Sequence, residues 1–393
     1  MRRLAAVLAA LASVVLAPDG GPAAASAHDA PTGYWVAGDL HVHTTYSHDS
    51  YGGPDDDNTG PNEFFTLGHS VESQFALAAS RGLTFLAITD HNDVRAQSDP
   101  GFGTHGVIGV PAYENSLNGH AQMLGATELF NNGDAGAAAV QSLASQLRLE
   151  GGAFQINHPG GDTIDPDQPD WGYGYAVAPD SVEVWNISPL WQPPMPSGNS
   201  IDVAISYWEG WLDRGVHVGA TGGSDNHWLS TTAVQGVGQP TTWVYVTEST
   251  TAAIIEGIRM GRTTISAEPP AAGTRAFVEA DADGDGDFEA LMGETVPATA
   301  AFRVRVAKGA GATLTIYGSG GNALGLPVPV TGTHFVHKFT PPADTTWVRA
   351  EVGVPDAADA RATVCDPLVK EDTSYCRDRL GLLALTSPIY IGP

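Results

Sequence analysis

The residues best suited to chemistry begin at His41 and His43, two histidines separated by one residue after an apolar run. In an extended strand, side chains two residues apart point to the same face, so both imidazoles can reach one point. Neutral imidazole is a common ligand of zinc, iron and manganese. Asp39 stands two residues before His41, where we expect its carboxylate to fix the tautomer of a ligand ring. A His-x-His pair alone is more typical of two surface histidines on a strand, so a metal site requires further ligands.

Further ligand-type residues follow at the ends of later strand-like runs, within residues 84–91, 107–114, 153–158 and 216–227. They are His91, Glu114, His158, Asp225 and His227, and His120 adds another in the stretch 118–121. The C-terminal ends of parallel strands are where α/β folds build their sites, so we expect these side chains to meet. Asp90, next to His91, is expected to orient its neighbours and not to bind metal.

This order, His-x-His, then Asp-His, then Glu, His and His, and finally Asp-x-His, resembles the PHP (polymerase and histidinol phosphatase) superfamily. Within it, the chain looks like the secreted carbaryl-hydrolase-like branch, over about residues 36–267. The resemblance implies a distorted seven-stranded β/α barrel that holds two or three divalent ions, zinc, manganese or iron. It implies nine ligands in three positions, which are His41, His43, Glu114 and Asp225 in the first, the bridging Glu114 with His120 and His158 in the second, and Asp49, His91 and His227 in the third.

The third position leaves two alternatives open. His48 is adjacent to Asp49 and could serve in its place, and some members of the family bind only two ions. We expect Glu114, Asp225 and His227 to be the catalytic residues. Arg95, four residues after His91, could bind an anion through its two-pronged guanidinium or could be an exposed arginine.

The chemistry expected of this cluster is hydrolysis of a small-molecule ester. A water shared by divalent ions loses a proton near neutral pH and becomes the nucleophile, so no protein nucleophile is required. Most characterised members of the resembled superfamily act on phosphoesters, and phosphoesterase activity is the first expectation. The alternatives are hydrolysis of carbamates or carboxyl esters by the same cluster, and a non-catalytic binding protein stabilised by metal.

Strands that alternate with helices predict the α/β part of the fold, which we assign to residues 31–267. Helices are expected at 70–81, 134–149, 201–213 and 250–260, the first introduced by the capping residue Ser70. From residue 270 to 393, short alternating runs separated by Gly and Pro predict a small all-β, sandwich-like domain.

Near the start of this β region, residues 281–289 resemble a calcium loop. Asp281, Asp283 and Asp285 supply oxygens at positions 1, 3 and 5, and Gly286 stands at position 6. Position 12 is Met292 and not Glu. Glu294 could substitute in a longer loop, and a plain acidic turn between strands is the alternative.

The N-terminal residues 1–27 read as a secretory signal peptide, with Arg2 and Arg3 before an apolar run and a small-residue site ending at Ala27. We therefore expect a secreted protein that starts near His28 and has no transmembrane segment once the signal is removed. In an oxidising compartment, the two cysteines, Cys365 and Cys376, are expected to form one local disulfide. The formal net charge of −26 repels phosphate backbones, so no stable binding of nucleic acid is expected.

Overall fold

The computed structural model describes residues 33–47, 69–117, 119–130, 136–159, 171–186, 201–227, 236–354 and 381–392. The expected signal peptide, the candidate ligand Asp49 with its alternative His48, and the cysteines Cys365 and Cys376 lie outside the described residues. The expectations attached to them therefore stay predictions. No helix of the described ranges is long and apolar enough to cross a membrane.

Four α-helices and ten strands make up the described part of residues 31–267. The helices are α1 (Val71–Ser80), α2 (Ala137–Leu149), α3 (Ile201–Leu212) and α4 (Thr251–Arg259). The strands are β1 (Tyr34–Asp39), β2 (Phe85–Ile88), β3 (Ile108–Pro111), β4 (Glu114–Asn115), β5 (Ala121–Leu124), β6 (Ala153–Ile156), β7 (Ser181–Asn186), β8 (Gly219–Gly223), β9 (Thr241–Val246) and β10 (Thr263–Ser266). A 3-10 helix covers Arg95–Ser98. The four predicted helices are confirmed, with ends that differ by up to three residues.

Helix α1 shows why these segments fold as they do. The Ser70 side chain accepts a hydrogen bond from the Ser73 backbone N–H, which satisfies one of the free donors at the helix start. Val71, Gln74, Phe75 and Ala78 then recur at helical spacing and form the buried face. Gln74 is the polar member of this face, and its amide donates to the backbone carbonyl of His43. Helix α1 therefore supports the segment that carries the first two histidines.

Strands β4 to β8 form one five-stranded sheet in the order β4-β5-β6-β7-β8, with parallel pairing from β6 to β8. Strands β1, β2 and β3 are parallel neighbours in a second sheet. Two isolated parallel bridges, Val42 with Asn226 and His91 with Glu114, connect the two sheets at the ends of their strands. The fold is thus mixed α/β as predicted. The pairings among the described strands do not form a closed ring, so the seven-stranded barrel stays a prediction.

Eleven strands follow residue 270 in the described part of the chain. They are β11 (Arg275–Asp281), β12 (Ala290–Leu291), β13 (Thr295–Pro297), β14 (Ala301–Ala307), β15 (Thr313–Gly318), β16 (Asn322–Ala323), β17 (Val328–Pro329), β18 (His334–Phe339), β19 (Trp347–Gly353), β20 (Leu382–Thr386) and β21 (Ile389–Gly392). A 3-10 turn covers Ser319–Gly321. Strands β12, β11, β14 and β18 form a four-stranded sheet, and β13, β15 to β17 and β19 to β21 join the larger sheet.

These two sheets share one apolar core, which includes Val278, Val304, Ile316 and Ala350. The larger sheet continues into the α/β part because β20 pairs antiparallel with β10. The chain therefore returns from its C-terminal region to complete a sheet begun before residue 267. The boundary between the two assigned domains at residues 267–270 stays a prediction.

Candidate metal centre

His41 and His43 lie just beyond the end of β1, on a segment held by backbone hydrogen bonds to the residues that follow β8. The Asp225 N–H donates to the His41 carbonyl at 2.8 Å, and the His43 N–H donates to the Asn226 carbonyl at 2.9 Å. Leu40 and Val42 alternate with the histidines and are fully buried. The strand period of two therefore directs both imidazoles to one side, as expected.

Four donor atoms from His41, His43, Glu114 and Asp225 converge at one point. Nε2 of His41 lies 3.1 Å from Nε2 of His43, from Oε2 of Glu114 and from Oδ1 of Asp225. Nε2 of His43 lies 3.3 Å from the same Glu114 oxygen and 3.1 Å from the same Asp225 oxygen. Ligands of a tetrahedral ion with bonds of about 2.0 Å lie about 3.3 Å apart. The spacing of these atoms matches that of a metal coordination shell.

Glu114 presents its two carboxylate oxygens to two groups of histidines. Oε2 faces His41 and His43 and also lies 3.3 Å from Nδ1 of His91. Oε1 lies 3.0 Å from Nδ1 of His120 and 3.4 Å from Nε2 of His158. The carboxylate is therefore placed to be shared between two ions, in the bridging position that the resemblance implies. Its Oε1 also accepts a hydrogen bond of 2.8 Å from the Asn157 side-chain amide, which fixes its orientation.

His91 and His227 approach the cluster from another side, where they form a third possible ligand group with His43. The His43 and His227 rings stack with centroids 3.8 Å apart. Nδ1 of His227 lies 2.9 Å from the Asp225 backbone carbonyl, an acceptor, so this nitrogen is the N–H donor and Nε2 is the available ligand atom. The structure thus brings together eight of the nine candidate ligands, and Asp49 lies outside the described residues.

Glu183, on β7, belongs to the site although the sequence did not single it out. Its Oε1 lies 3.0 Å from Nδ1 of His41, and its Oε2 accepts the His158 backbone N–H at 3.2 Å. A carboxylate on Nδ1 makes this nitrogen the proton-bearing one and leaves Nε2 as the ligand atom. A β-carbon on Gly223 would lie 2.5 Å from Glu183 Oε1 and 2.4 Å from the β-carbon of His41, so only glycine fits there. The available signal was an acidic residue inside the apolar run 181–186.

The expectation that Asp39 fixes a histidine ring was wrong. Its carboxylate accepts the backbone N–H groups of His41, Ser224 and Gly238, so it joins the segments that follow β1 and β8 to the one that precedes β9. It forms no hydrogen bond to a histidine ring of the described residues. Burial raises the pKa of Asp39 to about 6. The ring of His41 is instead held by Glu183.

Asp90 orients its neighbours, as expected, through two hydrogen bonds to Thr44. The Thr44 backbone N–H donates at 2.6 Å and its hydroxyl at 2.7 Å. Burial raises the pKa of Asp90 to about 7. These bonds fix the turn that follows His43.

The buried charges of the cluster depend on one another. Burial favours the neutral acid of Glu114, but the imidazoles of His41 and then His91 outweigh it and hold the Glu114 pKa well below its ordinary value. Burial likewise opposes charge on His41, whereas Asp225, Glu183 and Glu114 raise its pKa well above the ordinary value. The pKa of Asp225 is also held low against burial, mainly by His41. The low pKa values of Glu114 and Asp225 favour their ionised form, which is the form that binds cations.

Arg95 lies beside this region but is occupied by a neighbour. Its guanidinium donates to both carboxylate oxygens of Asp93, at 3.1 Å and 2.8 Å from Nε. It also lies over the Tyr46 ring, 5.4 Å from the centroid. An anion would have to compete with the Asp93 carboxylate, so the exposed-arginine alternative is favoured.

The similarity of this chain to known proteins is low. No family model matches the chain, and no curated protein matches it. Among solved structures, it is similar to a two-domain protein from Bacteroides vulgatus that contains a predicted PHP-like metal-dependent phosphoesterase, with 14% identity, a TM-score of 0.45, and coverage of 83% of this chain and 92% of that chain. It is also similar to a candidate metal-dependent phosphoesterase from Bifidobacterium adolescentis, with 12% identity, a TM-score of 0.31, and coverage of 51% and 90% respectively. At such low similarity, a functional conclusion has to come from the geometry of the site.

Proposed function

We propose that this protein is a metal-dependent hydrolase of the PHP superfamily, secreted carbaryl-hydrolase-like branch, and that it cleaves small-molecule phosphoesters. One observation carries the proposal: donor atoms of His41, His43, Glu114 and Asp225 converge at separations of 3.1–3.3 Å in a buried pocket. Only nitrogen and carboxylate oxygen donors take part, which is the set that suits zinc, manganese and iron.

The residues present fit two or three ions. His41, His43, Glu114 and Asp225 would hold the first, and Glu114 with His120 and His158 the second. His43, His91 and His227 would contribute to a third, together with Asp49 as implied by the resemblance. When bound, such ions lower the pKa of a coordinated water and polarise the ester.

The chain itself supplies orientation and access. Glu183 fixes the His41 ring, and the Asn186 amide donates to Glu183 at 3.1 Å and to Asp225 at 3.3 Å. The His41 and His43 side chains are fully buried, whereas that of His120 is 30% exposed and that of Asp225 15% exposed. The substrate would therefore approach along the edge formed by His120 and Asp225.

The charge balance favours an anionic ester. Two divalent cations would more than neutralise the carboxylates of Glu114, Asp225 and Glu183, leaving a net positive site for the oxygens of a phosphoryl group. Carbamates and carboxyl esters are the competing class, because the same nucleophile attacks a carbonyl.

The test offers the purified protein aryl phosphate monoesters and diesters beside aryl carboxyl and carbamate esters with matched leaving groups. The protein is loaded in turn with manganese, zinc or iron. We expect metal-dependent turnover that is fastest on phosphoesters and abolished by Glu114→Gln. The control Glu72→Gln removes the charge of a carboxylate that is 72% exposed and should leave turnover unchanged.

Each other outcome has a definite meaning. Faster turnover of the carbonyl substrates would replace the phosphoesterase proposal with the carbamate or carboxyl-ester hydrolase. Bound metal without turnover of any ester would favour a metal-stabilised binding protein.

We also propose that the protein is exported and does not bind nucleic acid. The supports are the charged and apolar N-terminal segment and the formal net charge of −26. N-terminal sequencing of the exported protein should begin near His28, and an intact Met1 on exported material would overturn export.

A further inference from the structure

We infer that the loop between β11 and β12 is a second, independent metal site that binds one calcium ion through Asp281, Asp283, Asp285 and Glu289. A carboxylate oxygen from each of these residues lies within 4.8 Å of the others. None of these residues belongs to the centre at the ends of β1 and β8. The site is therefore separate from the proposed hydrolase activity.

Glu289 is the residue that points to a ligand. Its side chain is buried, with 8% of the residue exposed, and its Oε1 accepts the Ala282 backbone N–H at 3.0 Å. Its Oε2 is shielded from solvent and has no hydrogen-bond partner among the described residues. A buried carboxylate oxygen without a partner is costly, and a cation between Glu289 and the three aspartates would satisfy it.

The last carboxylate ligand of the loop is not at the position that the sequence comparison predicted. Counting Asp281 as position 1, Glu289 stands at position 9, and Met292 at position 12 is fully buried in the apolar core. The alternative ligand Glu294 is engaged elsewhere, because its Oε1 accepts from Arg262 at 3.0 Å. Glu289, the residue before β12, therefore supplies the last carboxylate. The calcium loop of a helix pair would use a glutamate at position 12 instead.

The backbone of the loop holds the first ligand in place. Both oxygens of Asp281 accept backbone N–H groups, Oδ1 from Gly284 at 2.7 Å and Oδ2 from Gly286 at 3.0 Å. Gly286 has a φ of +100°, a conformation that side chains other than glycine rarely adopt. Each Asp281 oxygen keeps a second lone pair for a cation.

The chemistry of the donors selects calcium. All four are carboxylate oxygens, which are hard ligands, and no nitrogen or sulfur donor joins the group. Two of the aspartates, Asp283 and Asp285, lie on the exposed side of the loop, where water can complete a shell of six to eight oxygens. Calcium bound there would tie the start of β12 to the end of β11.

The test measures calcium binding to the full-length protein by isothermal titration calorimetry after dialysis against a chelator. The variants are Glu289→Gln and Asp283→Asn. The matched control is Asp287→Asn, which removes the same charge from an exposed loop residue outside the ligand group. Because all of these proteins keep the same centre at β1 and β8, differences among them report on the loop alone.

We expect the wild type and Asp287→Asn to bind with equal affinity within twofold, with Kd between about 10⁻⁵ and 10⁻³ M. Glu289→Gln and Asp283→Asn should weaken binding at least tenfold. Calcium should also raise the Tm of the wild type but not of Glu289→Gln. If Glu289→Gln fails to fold, Asp283→Asn decides, because its side chain is exposed. The inference would be overturned if the wild type bound no calcium at concentrations 10-fold above this range of Kd. Equal calcium affinity in Asp283→Asn and Asp287→Asn would also overturn it.

Discussion

Glu183 accepts a hydrogen bond from Nδ1 of His41 over 3.0 Å, and both side chains are completely buried. The same carboxylate accepts the His158 backbone N–H and the Asn186 amide. Glu183 thus contacts histidines from two of the ligand groups. Its contact with His41 holds the ring of that ligand in place. The partner of a ligand is as much a part of a metal centre as the ligand itself.

Glu183→Gln should weaken metal binding. The substitution keeps the shape of the side chain but removes the charge that makes the His41 ring a better donor. Loss of such a partner typically lowers metal affinity by about 10–100-fold. Competition with a coloured chelator would measure the change in affinity.

The matched control for this variant is Glu294→Gln. Glu294 lies in the region after residue 270, and its carboxylate pairs with Arg262. Its metal affinity should equal that of the wild type. Equal affinity in Glu183→Gln and Glu294→Gln would contradict the role assigned to Glu183.

Metal removal should destabilise the protein. Without cations, the charges on the carboxylates of Glu114 and Asp225 are balanced, among the described residues, by imidazoles. An ion that binds only the folded state adds about 2.7 kcal/mol when its free concentration is about a hundred times its Kd. Thermal unfolding with manganese or zinc should therefore occur at a higher Tm than with chelator.

The difference in Tm between metal and chelator should be much smaller in Glu114→Gln, because Glu114 serves two of the ligand groups. It should persist in Glu72→Gln. A wild-type Tm that responds to neither manganese nor zinc would argue against a metal centre.

Much of the ligand set could be read from the sequence because strand geometry is local. His41 and His43 share a face through the period of two, and His91, His158 and Asp225 follow strands whose ends meet. The helix bounds were equally accessible, since a cap such as Ser70 acts within one turn.

The features that the sequence could not supply depend on long-range packing. Glu183 lies in β7, where all six residues are buried, so alternation gives no hint of its direction. The pairing of β20 with β10 joins residues that are 118 to 122 positions apart in the chain, and no local pattern specifies it. Glu289 was missed because the motif was compared with a loop whose last ligand is at position 12.

Arg349 on β19 joins this strand to helix α3 through an ion pair with Glu209. Its side chain is 1% exposed, and its Nε donates to Glu209 Oε1 at 2.9 Å while Nη1 donates to Glu351 Oε1 at 2.6 Å. Arg349→Ala would leave two largely buried carboxylates without their cation. Breaking a buried pair in this way costs about 3–5 kcal/mol of the free energy of unfolding. Urea unfolding followed by tryptophan fluorescence would measure it.

Arg305→Ala is the comparison for this variant, because Arg305 is 44% exposed and its partner Glu279 also pairs with Arg303. Glu279 would keep a cation, so the loss should stay within about 1 kcal/mol, as for an exposed pair. A large loss in Arg349→Ala with a small one in Arg305→Ala would show that Arg349 stabilises the contact between α3 and the larger sheet. Similar losses in the two variants would mean that the buried position of Arg349 adds nothing to its contribution.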